Sequence, residues 1–519
     1  MDKRFSDMIQ NSAKGSLILI IGQAASTLIS ALGSILVARI IGSSSYGLIA
    51  IAQIPINIAD IFIQNGVSQA IINFIVEARS EGEDDKISGI IRAGFIINLL
   101  LGLVATSGLY FLAGYLSNQV YGNPALQQLI QILSFSVLAR AFMTTSASVL
   151  IGFEDMKQRS LINILYSVLK SIIGPVLVYL GYGVVGAAYG RVTPYLLASV
   201  IAFILVYRAL GNNTISTVSD MENFRRIISF SYPLFFSNLL SRSLTKALNF
   251  ILPLYVSATL MGNYSAATTF TMLITFFMTP ISTASFPLFS KLKPEDSVFE
   301  YVFQNVIKYE TMIVYPIATA VIGLSNHLVQ ILYGNDYPNT PFFLQILMLN
   351  YIFVGFGNAA SIRLLNSQKQ TQVALRRTFL YLSFGIPIGL YLIPKYGIVG
   401  FQVTNLLAPV GGLFYVLWWI KKNMGINVDI KSTLKIFISS LFGYSACLIL
   451  TSIIDLNPVF ELLAGGAILA LVYLISLLLS GALTKSNISD IYSIVSRYKA
   501  IKWFIEPTFM FIKKLARKN

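Results

Sequence analysis

Cysteine and histidine are almost absent from this chain of 519 residues, which contains only Cys447 and His327. One cysteine cannot form a disulfide framework or a cysteine metal site, and one histidine excludes a histidine cluster for zinc. The sequence also lacks a phosphate-binding glycine loop, the spacing of a catalytic triad and any metal-ligand spacing. We therefore predict that the protein is not an enzyme and holds no metal and no cofactor.

Charged residues are scarce as well, at 11% of the chain against a usual fraction of about 25%. Hydrophobic residues make up 55%, and apolar stretches of about 20 residues recur along the sequence. Strands of a membrane β-barrel alternate polar and apolar residues, whereas segments such as 462–479 are apolar at nearly every position. The sequence predicts an all-α polytopic membrane protein.

Glycine, proline, asparagine and charged clusters divide the apolar stretches into about 14 predicted transmembrane helices. Apart from Arg39 and Lys395, the basic residues between these helices fall in loops on the side that would hold both termini. By the positive-inside rule, both termini are cytoplasmic and the protein lies in the cell membrane. The net charge of +15 is explained by this arrangement, so we predict membrane lipids rather than nucleic acid as partners. The predicted helices are 16–37, 46–75, 89–115, 126–150, 160–181, 184–207, 227–256, 263–288, 301–324, 341–365, 374–393, 398–420, 433–454 and 459–480.

Two short segments recur after about 213 residues. Tyr121-Gly122-Asn123 recurs as Tyr333-Gly334-Asn335, and the segment 182–186 (YGVVG) recurs as 396–400 (YGIVG). Both pairs fall at equivalent points in the helix order, which predicts two parallel six-helix repeats around a central cavity. The predicted division is 1–210 for the first bundle, 211–425 for the second, 426–481 for helices 13 and 14, and 482–519 for a basic amphipathic tail on the cytoplasmic membrane surface.

Basic side chains occur within the predicted spans, where each would cost about 2.5–3.5 kcal/mol if it faced lipid. One explanation is that the long aliphatic parts of Arg191 and Arg140 let their guanidinium groups reach the outer and inner membrane interfaces, respectively. The alternative is that the basic residues line a cavity filled with water that attracts anions. These basic residues are Arg140, Lys170, Arg191, Arg242 and Lys246.

Two polar stripes accompany these cations. Asn238 and Asn249 continue the face of the seventh helix that carries Arg242 and Lys246. On the second helix, Gln53, Asn57 and Asp60 share a face, and Asp60 is the only carboxylate that we predict deep in a span. It is either the counter-ion of one basic residue or part of the binding site. Glu310 is instead predicted at the inner end of a span, beside Lys308, and His327 is predicted near the outer interface.

Three turns carry a resemblance to a known family. They are 38–47 (ARIIGSSSYG), 261–267 (MGNYSAA) and 332–337 (LYGNDY). These turns resemble those of the polysaccharide flippases, the Wzx-like branch of the multidrug/oligosaccharidyl-lipid/polysaccharide exporter superfamily, over about residues 10–420.

The resemblance implies flipping of an oligosaccharide linked to polyprenyl phosphate or pyrophosphate, for surface polysaccharide synthesis, by alternating access of a cationic cavity. It also implies glycosyltransferases or a polymerase of the same pathway as partners. A cation-coupled multidrug exporter of the same superfamily is the alternative, although its cationic substrates would need more carboxylates than Asp60. A third hypothesis is a membrane scaffold or a glycan polymerase. A polymerase would be expected to have a large outer loop, and the sequence predicts none.

Overall fold

The computed structural model describes residues 3–64, 66–210, 220–296, 298–453 and 457–483. Within these ranges, the side chains of residues 3–17, 62, 64, 84, 220, 237, 238 and 240–243 fall outside the description. The predicted amphipathic tail lies outside the described residues from 484 onward, so it remains a prediction.

The described residues form 16 α-helices and no strand, as the all-α prediction requires. The helices are α1 (Lys3–Gln64), α2 (Val67–Glu81), α3 (Asp84–Tyr115), α4 (Ala125–Gly152), α5 (Met156–Leu177), α6 (Gly183–Leu210), α7 (Asp220–Ile251), α8 (Ala258–Thr269), α9 (Thr271–Lys291), α10 (Phe299–Gly323), α11 (Ser325–Tyr333), α12 (Thr340–Leu349), α13 (Asn358–Ser367), α14 (Thr371–Met424), α15 (Ile430–Ile453) and α16 (Pro458–Leu479).

Within the described ranges, nine helical stretches are long and apolar enough to cross a membrane, and a tenth is formed if α12 and α13 are one bent span. The protein is therefore a multi-span membrane protein. Helix α1 has 62 residues and α14 has 54, which at 1.5 Å per residue is far more than a hydrocarbon core of about 30 Å. Helix α14 contains two of the predicted spans, and α1 contains the first predicted span and most of the second. The spans meet at Gly397 and Gly42 respectively, where the backbone is not helical. These observations are consistent with the predicted fourteen helices.

The two recurring YG segments adopt the same backbone conformation. Gly183 has φ 51° and ψ −132°, and Gly397 has φ 54° and ψ −123°. Side chains with a Cβ rarely adopt such a positive φ, so glycine is required at both turns. This match is consistent with the predicted internal repeat.

Three predicted spans are interrupted in the structure. The span 46–75 breaks before α2, the span 263–288 is divided between α8 and α9, and the span 341–365 becomes α12 and α13, bent by 49°. Glycines with positive φ account for two of the breaks: Gly66 (φ 98°) precedes α2 and Gly357 (φ 77°) precedes α13. Apolar composition alone did not reveal these breaks, because it is similar on both sides of each.

Contacts divide the chain into two compact units. Unit 1 comprises Met1–Met272, Leu332–Asn339 and Gly385–Asn405, and unit 2 comprises Leu273–Ile331, Thr340–Phe384 and Leu406–Asn519. In unit 2, a buried core forms around Phe289, Phe299 and Phe303. The predicted division at residues 210 and 425 remains a prediction.

The three turns that carry the family resemblance pack together within unit 1. The Tyr337 hydroxyl donates to the backbone carbonyl of Ala38 at 2.7 Å. The backbone N–H of Asn339 donates to Oδ1 of Asn263 at 3.0 Å. These turns therefore hold the bend of α1 against α8. Their role in this packing is structural.

Two glycines allow α1 and α8 to approach at backbone distance. A Cβ on Gly262 of α8 would overlap the carbonyl oxygen of Ser43 in α1, and a Cβ on Gly47 would overlap the carbonyl oxygen of Ala258. Both obstacles are backbone atoms, so a substituted side chain would have to push the helices apart.

We predict that Gly262→Ala destabilises the protein, because overpacking of this kind costs about 1–3 kcal/mol. The measurement is the apparent unfolding temperature of the purified full-length protein in detergent. Gly108→Ala in α3 is the matched control, since no atom lies within 4 Å of its would-be Cβ. An unchanged unfolding temperature for Gly262→Ala would contradict the close approach.

Candidate functional site

Four of the predicted basic residues and the predicted carboxylate have described side chains that lie in unit 1, at the depth of the membrane spans. We call Asp60, Arg140, Lys170, Arg191 and Lys246 the cation cluster. They come from α1, α4, α5, α6 and α7 respectively. Asp60, Arg140, Lys170 and Arg191 lie in helical stretches that are long and apolar enough to cross a membrane, and Lys246 lies in the shorter apolar stretch Leu244–Leu254. The sequence did not reveal their partners.

Arg140 and Asp60 form an ion pair that is largely shielded from solvent, with side-chain exposures of 15% and 11%. The Arg140 guanidinium also lies over the ring of Tyr195, 4.5 Å from its centroid. An arginine that is both paired and stacked has exchanged its hydration for protein contacts. Arg140 therefore does not extend to the inner interface, and the counter-ion interpretation of Asp60 describes the geometry.

Lys170 is held differently, without a carboxylate. Its Nζ donates to the Ser30 hydroxyl at 2.8 Å, and the positive charges of Arg191 and Arg140 act on it. Among the described side chains, no acid forms an ion pair with Lys170. A neutral hydroxyl compensates only part of the cost of placing an ammonium at this depth, so the site favours an additional anion.

Arg191 lies beside Lys170 and faces α1. Its Nη1 donates to Oε1 of Gln53 at 3.4 Å, and its guanidinium is 5.8 Å from the centroid of Tyr46. Within the described part of the chain, Arg191 also has no ion pair with an acid. A small cavity of about 10 Å³, which we call the Lys170 cavity, is lined by Lys170, Arg191, Tyr46 and Ser34. Arg191 therefore does not extend to the outer interface.

Gln53 and Asn57 connect Arg191 to Lys246. Nε2 of Gln53 donates to Oδ1 of Asn57 at 3.4 Å, and Nζ of Lys246 donates to the backbone carbonyl of Asn57 at 3.0 Å. The Lys246 ammonium also interacts electrostatically with Asp60. The predicted polar stripe of the second helix therefore contacts three helices that carry cations.

The other predicted residues of α7 contribute less to this arrangement. The side-chain amide of Asn249 donates to the carbonyl of Thr245, one turn earlier in the same helix, at 2.8 Å. The side chains of Asn238 and Arg242 lie outside the described residues. Their predicted binding role remains a prediction.

Charge balance distinguishes two parts of the cluster. Asp60 neutralises Arg140, whereas the Lys170 cavity contains two cations without an acid partner among the described residues. Tyr166 and Tyr195 stack beside them with ring centroids 4.2 Å apart. Nothing in the sequence identified these tyrosines, because aromatic residues are frequent in all the predicted spans.

Unit 2 contains a second buried ion pair, which corrects a prediction. Glu310 is fully buried in α10 and pairs with Arg363 of α13. The prediction that Asp60 is the only carboxylate deep in a span, with Glu310 at an interface, was wrong.

Near the start of α16, Glu461 pairs with His327 of α11.

The fold and the cation cluster define a polytopic helical membrane protein whose interior carries positive charge. The sequence profile of the family "Polysaccharide biosynthesis protein" matches residues 36–341, which is more than half of the chain. The protein belongs to this family, and the resemblance carried by the three turns is confirmed.

Relatives from two archaea match most of the chain. An uncharacterized membrane protein of Methanocaldococcus jannaschii, MJ1068, is 22% identical over 83% of this chain and 87% of its own length. The probable low-salt glycan biosynthesis flippase Agl15 of Haloferax volcanii is 22% identical over 89% of this chain and 94% of its own length.

The fold matches that of a solved transporter. The lipid II flippase MurJ in an inward closed conformation superimposes with a TM-score of 0.71 at 19% identity, covering 89% of this chain and 98% of MurJ. This match confirms the predicted helical fold.

We predict that Asp60→Asn destabilises the protein by about 3–5 kcal/mol, because it leaves the Arg140 guanidinium buried without its counter-ion. The double variant Asp60→Asn/Arg140→Gln should be less destabilised than the two single variants together. Unfolding of all three purified proteins in detergent measures this coupling. Strictly additive effects would show that the ion pair does not carry the stabilisation.

Proposed function

We propose that the protein flips an oligosaccharide linked to polyprenyl phosphate or pyrophosphate from the cytoplasmic to the outer leaflet of the cell membrane. Alternating access of a cationic cavity would carry the substrate across. The observation that carries the proposal is the pair Lys170 and Arg191: two partly buried cations beside one cavity, without an acid partner among the described residues, in a chain of the polysaccharide biosynthesis family.

A phosphate group supplies the charge that this arrangement needs. Moving such an anion through hydrocarbon removes its hydration, and fixed cations with hydrogen-bond donors can replace that hydration. Lys170 offers an ammonium, and Arg191 offers a planar donor set suited to two phosphate oxygens. The Ser34 and Tyr46 side chains line the same cavity.

The cavity is narrow in this conformation, with a volume of about 10 Å³, which is room for about one water molecule. Alternating access would have to widen it for a phosphate to reach Lys170 and Arg191, and it offers no room for the oligosaccharide. The glycan would occupy the predicted central cavity while the prenyl chain stays in lipid.

Cationic drugs fit this chemistry poorly. A multidrug exporter would need an available carboxylate, but Asp60 is paired with Arg140 and Glu310 is paired with Arg363. We therefore favour the flippase over the multidrug exporter. In this proposal both termini are cytoplasmic, the protein performs no chemistry on the glycan, and glycosyltransferases of the same pathway supply its substrate.

We predict that Lys170→Gln/Arg191→Gln lowers the rate of flipping of a lipid-pyrophosphate oligosaccharide at least tenfold in proteoliposomes. The reason is that two of the groups that replace phosphate hydration are removed. Lys395→Gln is the matched control, because it removes one cation from an end of the membrane domain where Lys395 lies over Tyr391.

A cationic dye serves as the competing substrate in the same proteoliposomes. The wild-type protein should transport the glycan lipid and not the dye. Dye transport without glycan flipping would favour the multidrug exporter, and unchanged flipping by the double variant would exclude the phosphate role of the Lys170 cavity.

A further inference from the structure

A second open groove lies in unit 1, between α3, α4 and α6, on a different face of α6 from Arg191. Its volume is about 520 Å³. We call it the glutamine groove, and its main lining residues are Tyr110, Gln128, Gln131, Phe135, Tyr189 and Thr193. None of these side chains belongs to the cation cluster.

The polar groups of the glutamine groove are not engaged in hydrogen bonds within the described part of the chain. The side-chain amides of Gln128 and Gln131 and the hydroxyls of Tyr110, Tyr189 and Thr193 make no hydrogen bond to any other residue that the structure describes. Polar groups that converge on an apolar groove are the usual mark of a ligand site. Tyr110, Gln128 and Tyr189 are exposed and Gln131 and Thr193 are partly exposed, so these groups are available to a ligand.

The groove changes character along its length. At 1.5 Å per residue, Tyr110, Gln128 and Tyr189 lie about 5–9 Å from the nearest ends of their helices. Phe135 and Leu196 lie about 15–20 Å from those ends, and both are nearly half exposed. The groove is thus mostly polar near the membrane surface and mostly apolar toward the membrane centre, although Thr193 lies as deep as Phe135, about 15 Å from the start of α6.

A tyrosine belt at the membrane surface would explain Tyr110 and Tyr189 but not the two glutamines. Gln128 and Gln131 are three residues apart on α4, so both amides reach the same groove. Each amide offers donors and acceptors, as does each hydroxyl. Sugar hydroxyls have this same dual character, whereas a phosphate accepts only and binds best to cations.

The lining of the glutamine groove contains no charged residue. From this neutrality and from the change from polar to apolar lining, we infer that the groove binds a neutral glycolipid, with the sugar at the amides and the lipid chain over Phe135 and Leu196. On the predicted orientation these helix ends face the outer leaflet. This glycolipid is uncharged and so differs from the phosphate-linked substrate of the proposed function, on which the inference does not depend.

The test uses the full-length protein in nanodiscs that contain a monoglucosyl diacylglycerol with a diazirine on its sugar. Light-induced labelling is mapped by mass spectrometry of the peptides from α3, α4 and α6. We expect Gln128→Leu/Gln131→Leu to lower labelling of these helices at least fivefold. Gln127→Leu is the matched control on the same helix, because Gln127 packs toward Gly114 and does not line the groove.

A second variant, Tyr189→Phe/Thr193→Val, removes two hydroxyls with little change of shape and should also lower labelling. It serves if the glutamine variant does not fold. Unlabelled glycolipid in tenfold excess should compete, and phosphatidylglycerol should not. Equal competition by the two lipids, or labelling that the variants do not change, would overturn the inference.

Flipping of the lipid-pyrophosphate oligosaccharide is measured separately on the same wild-type preparation. Flipping without specific glycolipid labelling would refute the glutamine groove and leave the proposed function standing. Specific labelling without flipping would refute the proposed function and retain the groove as a glycolipid site.

Discussion

Burial of positive charge at the depth of the hydrocarbon is the constraint on which the rest of this structure depends. A basic side chain there must find an acid, an aromatic ring, a polar side chain or a bound anion. Arg140 finds both Asp60 and Tyr195, so its requirement is met within the protein. Lys170 and Arg191 find only neutral groups among the described residues, which leaves positive charge that an anionic substrate can neutralise.

The three turns that carry the family resemblance and the cation cluster have separate roles, and both involve α1. The bend at Gly42 is fixed by Tyr337, whose hydroxyl bonds to the carbonyl of Ala38, and by the close packing of Gly47 against α8. The segment after the bend carries Gln53 and Asp60 toward the basic residues. The turns that identify the family therefore position the stripe whose chemistry we assign to transport.

The sequence predicted the helical fold and much of the polar interior, for physical reasons that can be stated. Helical periodicity placed Gln53, Asn57 and Asp60 on one face, and the cost of charge in lipid predicted that the basic residues of the spans do not face lipid. The partners came from different helices far apart in the chain, so spacing could not reveal them. The Glu310–Arg363 pair was not predicted, because its two residues lie on different helices. The interruptions before α2 and α13 depend on backbone conformation at single glycines within uniformly apolar stretches.

The most direct test of the central claim is a binding measurement that separates the phosphate from the rest of the substrate. Binding of polyprenyl pyrophosphate and of the matching polyprenol, which has the same chain but no phosphate, is compared on the detergent-purified protein. The account predicts at least tenfold tighter binding of the pyrophosphate, and loss of this preference when Lys170 and Arg191 are both replaced by glutamine. Equal affinity for the two lipids, or a preference that survives the double substitution, would contradict it.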